Sequence, residues 1–153
     1  MSRRRPEPGP IVARHETCSA RDMSRRNNIL KYTTGLLLTL VALNAIGGGY
    51  YGLAGAQGVP REWLARSPFD DYLLPSLFLL FVVGGTFLGA AIAVFTGLPA
   101  ARRLVAGAGI VVIAWIAAEV AIIGAVSWLQ PVMALVGVLV LMLAYAMPTP
   151  VKS

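Results

Sequence analysis

In "AWIAAEVAIIGAV", residues 114–126, one carboxylate stands among small and branched apolar side chains. A carboxyl group in that setting can exchange a proton, hold a cation, or accept hydrogen bonds from a neighbouring helix. Three other side chains have the chemistry to join Glu119. Asn44 is the only other strongly polar side chain expected within the hydrocarbon, and its amide can donate to a carboxylate. Trp115, one helical turn before Glu119, carries an indole N–H on the same face, and Trp128 carries another nearer the end of the run. Gly47, Gly48 and Gly49 follow Asn44, leaving room and exposed backbone beside it.

Other chemistries lack their residues. Cys18 is the single cysteine and His15 the single histidine, and nothing near either has metal-ligand spacing. No metal site, no cofactor and no Ser-His-Asp constellation is expected. With only one buried titratable group expected, an enzyme is the weakest reading, because acid–base chemistry on lipids usually needs a second group or a metal.

The elements that must position these residues are apolar helices. Hydrophobic residues make up 57% of the 153-residue chain and charged residues 13%, about half the charged share of a soluble domain. Four runs reach the roughly 20 apolar residues that a helix needs to cross a bilayer: 30–53, 73–95, 104–126 and 129–147. The expected fold class is therefore all-α, an integral membrane four-helix bundle over residues 30–147. A basic tail of residues 1–29, rich in Pro and Arg, is expected to be disordered, and residues 148–153 form a short C-terminal tail. "SWLQP" (127–131) is short enough to make the third and fourth spans an antiparallel hairpin.

Charge orients the bundle. Arg3, Arg4, Arg5, Arg14, Arg21, Arg25, Arg26 and Lys31 face three acids before the first span, which is five of the six net positive charges. Basic residues beside an apolar segment are a topology signal and attract anionic lipid, so nucleic acid is not an expected partner. Residues 54–72 are net acidic, Arg102 and Arg103 make the next loop basic, and Lys152 makes the C-terminal tail basic. Basic and non-basic flanks alternate, which predicts both termini in the cytoplasm.

Smaller signals remain. "MSRR" occurs at Met1 and at Met23, so Met23 is an expected alternative start; "AGA" (54–56) has the form of a signal-cleavage site, but the preceding run is longer than a signal core. Gly48 and Gly52, and Gly85 and Gly89, have the four-residue spacing that lets membrane helices approach closely. "VPREWLARSPFDDYLLP" (59–75) reads as a short interfacial helix and then a start signal. Ser67 is the expected N-cap, with Asp70 and Asp71 in the first turn, where carboxylates complement the helix dipole. Tyr50, Tyr51, Trp63, Tyr72 and Trp128 form the expected outer aromatic belt.

Aligning span midpoints puts Asn44, the glycine triplet and Glu119 at one depth, with Glu119 about 6 Å outward of the midplane. Two readings follow. Glu119 is a hydrogen-bonded cross-helix tie, or it lines an outward-half pocket with Asn44, Trp115 and Trp128.

"WLARSPFDDYLLP" (63–75) and "WIAAEVAIIGAVSWLQP" (115–131) resemble stretches of a family of small four-span bacterial membrane proteins. The span count and size are also similar to DoxX-type proteins, without a motif diagnostic of them. The resemblance covers residues 30–147 and implies a helical bundle in the bacterial cytoplasmic (inner) membrane; it brings no activity with it. Small multidrug-resistance transporters also have four spans and a membrane glutamate, but theirs lies in the first span, which has none here. The expectation is a non-enzymatic binding or accessory subunit. The alternatives are a proton-coupled transporter of a small cation using Glu119, and a lipid- or isoprenoid-modifying enzyme. The expected partners are membrane lipid and either a second copy or a larger membrane complex.

Overall fold

The computed structural model describes residues 10–55, 73–125 and 127–148. Among the described residues all regular structure is helical. Helix α1 runs Pro10–Leu53, α2 Leu73–Thr96, α3 Ala101–Ile123 and α4 Leu129–Ala146. Each contains a stretch long and apolar enough to cross a bilayer: Arg21–Leu53, Leu73–Thr96, Ala101–Ile122 and Leu129–Ala146. Ser67, Asp70, Asp71, Trp63 and Tyr72 lie outside the described residues.

Large apolar side chains cover the outside of the helices, as in a multi-pass membrane protein. Leu36, Leu40, Leu43, Phe81, Leu135 and Tyr145 are each more than half exposed. A soluble monomer does not carry such a continuous apolar perimeter. The interior is built from small residues instead. Ala42, Ala45, Ala90, Ala91, Ala93, Ala108 and Ala144 are buried around Leu38, Phe87, Val105 and Val140. Lipid tails are as apolar as the core, so the helices are held by close van der Waals contact, which small side chains allow.

Helices α1 and α2 pack along their length, α3 and α4 form the second extensive pair, and α2 joins the pairs through α3. At the α1–α2 seam a Cβ on Gly49 would lie 2.8 Å from the Ser76 carbonyl oxygen, and one on Gly52 would collide with Ser76 Oγ. Gly85 and Gly89, equally spaced in the sequence, instead face open space. Only the first of the two expected glycine pairs lies at a helix seam within the chain.

Two turns close the bundle. Helix α2 ends at Gly97, with φ 70 and ψ 30, where the Gly97 N–H donates to Val94 and the Leu98 N–H to Ala93. This is the double bond of a Schellman cap, and Pro99 follows it. The α3–α4 turn starts at Gly124, φ 84, and is tied by Gln130. The Gln130 amide donates to the Gly124 carbonyl at 3.2 Å, and its oxygen accepts from the Ser127 N–H at 3.4 Å. Ser127 Oγ accepts from the Leu129 N–H at 3.2 Å. Ser127 and Gln130 thus act as the two halves of a capping box, at its sequence spacing.

Two elements depart from expectation. Helix α1 begins at Pro10, so residues 10–29 continue the first span and are not a separate disordered tail. Residues 11–34 contain no glycine and no further proline, and a helix already nucleated in its apolar half propagates cheaply. Within α2, residues Phe78–Gly84 form a π-helical segment. The Gly85 N–H is shared between the Phe81 and Val82 carbonyls where the π turns give way to α.

Candidate functional site

Glu119 sits in the last two turns of α3, half-buried at the edge of the bundle. One turn back, Trp115 stacks on Phe78 of α2, with ring centroids 4.4 Å apart and planes 16° from parallel. Phe78 is the first residue of the π segment, so the widened turns of α2 carry the ring that fixes Trp115. Aromatic stacking of this kind is worth about 1 kcal/mol beyond the area buried. Phe78 went unnoticed in the sequence, where it is one of several phenylalanines in an apolar run.

The structure does not bring Asn44 to Glu119. Along α1, a Cβ on Gly84 would touch Ile46, while Gly49 and Gly52 meet Ser76 and Leu80. Asn44 is therefore level with the α2 turn just after Gly84, and Trp115 is level with Phe78, about two turns away. Glu119 is one turn further, so the two side chains are separated along the bundle by on the order of 15 Å. Asn44 is also exposed, facing away from the core. The start of α3 at Ala101 moves its midpoint back from Trp115 to Val112, which accounts for about 5 Å of this separation. Among the described residues, no hydrogen bond or ion pair reaches either side chain.

Trp128 lies on the α3–α4 turn with 76% of its surface exposed. It does not turn in toward the bundle, and Tyr50 and Tyr51 are likewise exposed. Of the four residues read as one pocket, Trp115 and Glu119 share a face of α3, and Asn44 and Trp128 stand apart.

Polar residues converge at the opposite end of the bundle. A cleft of about 340 Å³ opens between α1, the 97–100 turn, the start of α3 and the end of α4. Asn27, Asn28, Lys31 and Arg102 line it together with Leu98 and Met147. Arg102 also lies 5.9 Å above the ring of Tyr145, within cation–π reach. Comparison with protein-family models, curated proteins and solved structures finds no match for the chain.

Proposed function

We propose that this chain is a non-enzymatic binding or accessory subunit of the bacterial cytoplasmic membrane, joined to a membrane partner through Glu119. The observation that carries this reading is a carboxylate at the bundle edge, within an apolar helix, with no donor among the described residues. A charged side chain costs about 3 kcal/mol at the centre of a membrane helix on insertion scales, and less toward the helix end where Glu119 stands. A hydrogen bond from a neighbouring membrane helix recovers about 1 kcal/mol of such a cost. The Trp115–Phe78 stack holds the adjoining turn of α3, so the carboxylate is presented from a firm surface. Asn44, exposed on α1, offers a second polar contact on another side of the bundle.

Lipid chemistry at Glu119 would call for a second acid–base group, and Asn44 cannot supply one. Both termini lie on the cytoplasmic side in this reading. The basic N-terminal region, Arg102 with Arg103, and the C-terminus then share one side, as the positive-inside rule requires.

The test is native mass spectrometry of the full chain extracted in a mild detergent. The expected result is an assembly heavier than the 16.2 kDa chain. Glu119→Leu is expected to dissociate it, and Glu119→Gln to retain it, because an amide still accepts a hydrogen bond. A monomer mass for the unaltered chain, or an assembly indifferent to Glu119→Leu, overturns the proposal. Proton-coupled transport also keeps the assembly in Glu119→Gln and differs in a second readout: pH-driven uptake by the unaltered chain, abolished in Glu119→Gln.

A further inference from the structure

The cleft at the basic end of the bundle has the chemistry of an anion site, and it is independent of Glu119. Its polar lining is two cations, Lys31 and Arg102, and two amides, Asn27 and Asn28, with no carboxylate among the lining residues. Lys31 and Arg102 are both half-buried, and among the described residues neither has an acidic partner. Two such cations, partly withdrawn from water and converging on one cleft, repel each other until an anion enters. Asp22 is the only carboxylate in the described part of α1 whose side chain is placed; it is exposed and does not line the cleft.

The remaining lining is apolar. Leu30, Val94, Leu98 and Met147 line the same cleft, and the apolar part of α1 begins at Leu30. The cleft therefore lies where an apolar surface meets a polar one. One turn further along α1, the Thr34 hydroxyl is fully buried and bonds nothing among the described residues. Beside the cleft, the Arg102 guanidinium lies 5.9 Å from the centre of the Tyr145 ring, within cation–π reach. A ligand matching this lining carries a phosphate beside an acyl chain.

We propose that this cleft binds the headgroup phosphate of an anionic phospholipid, held by Lys31 and Arg102 with Asn27 and Asn28 as hydrogen-bond donors. The acyl region lies against Leu98 and Met147. Exposed basic residues of α1, Arg21 and Arg25, border Asn28 on the other side and draw anionic lipid toward the cleft without forming it.

The test measures thermal unfolding of the full-length purified chain in detergent with added phosphatidylglycerol, phosphatidylcholine or inorganic phosphate. Phosphatidylglycerol is expected to raise the melting temperature saturably, and the other two are expected not to. Lys31→Gln with Arg102→Gln is expected to lose roughly tenfold or more in apparent phosphatidylglycerol affinity. The charge-keeping Lys31→Arg, and the pair Arg21→Gln with Arg25→Gln, are expected to keep the shift. In nanodiscs, the unaltered chain should show slower amide exchange over residues 97–102 with phosphatidylglycerol than with phosphatidylcholine, a readout that needs no variant. Equal exchange in the two lipids, an unchanged shift in the glutamine pair, or a shift reproduced in full by inorganic phosphate each overturns the proposal.

Discussion

At Gly49 the first two helices meet backbone to backbone, and the fit there decides how closely they pack. A Cβ on this residue would stand 2.8 Å from the Ser76 carbonyl oxygen and 2.8 Å from Leu80 Cβ. Neither atom is the end of a flexible side chain, so a larger residue must push the helices apart. Gly49→Val is expected to destabilise the bundle by about 1–3 kcal/mol, the usual cost of overpacking. Gly85 provides the control, since a Cβ there meets nothing within 4 Å. Gly85→Ala is expected to be neutral or to stabilise by up to about 1 kcal/mol, because alanine is the better helix former. Reversible unfolding in mixed micelles reads both, and equal losses at the two positions would sink the packing argument. Spacing alone marked Gly48 with Gly52 and Gly85 with Gly89 as equivalent pairs. It could not separate them, because the face each pair occupies is set by the helix it meets.

At the scale of the element, α2 is the least regular and the least legible. Its π turns end where Thr86 Oγ1 donates to the Val82 carbonyl at 2.6 Å and the Val83 carbonyl at 3.0 Å. In hydrocarbon a freed backbone carbonyl has no water to turn to, so this hydroxyl carries part of the junction. Thr86→Val keeps the shape and removes the donor; it is expected to cost about 1 kcal/mol and to speed amide exchange over residues 78–85. Unchanged exchange there would show that the π segment stands without Thr86. Hydropathy made the four apolar helices readable, since each run is long and bounded by turn residues. It misplaced their ends where charge and helix coexist: Arg102 and Arg103 lie in the first turn of α3, yet a hydropathy reading starts that helix at Leu104. Long basic side chains reach the interface while their backbone stays helical. Glu119 was legible as the one carboxylate in an apolar run, but its neighbours were not. Three residues of offset in α3 account for about 5 Å of the separation from Asn44, and the rest lies in which turns of α1, α2 and α3 pack side by side, which hydropathy does not encode. The cleft at Lys31 and Arg102 was illegible for a related reason, since its walls come from the ends of four helices far apart in sequence.

For the whole molecule, the two ends differ in charge, and that difference carries the orientation proposed above. The 97–100 turn, Lys31 and the end of α4 border one cleft, so they share one end of the bundle. The Gly124 turn lies at the other end of α3, one helix length of 23 residues away, roughly 35 Å. That span covers the hydrocarbon core of a bilayer, about 30 Å thick. In a Cys18→Ser background, Ala100→Cys and Ala125→Cys place one thiol at each end, both on exposed positions. An impermeant maleimide is expected to label Ala125→Cys in right-side-out vesicles and Ala100→Cys only in inverted ones. The native Cys18, restored alone, is expected to follow Ala100→Cys, because α1 runs from it into the same end without a break. Labelling of Ala100→Cys and Ala125→Cys from one side would mean that α3 does not cross the membrane. The reversed pattern would place Arg102, Arg103 and the basic N-terminal region outside, against the positive-inside rule. Anionic lipid of the cytoplasmic leaflet would then meet the wrong end of the bundle, and the lipid cleft would have to draw its ligand from the opposite leaflet.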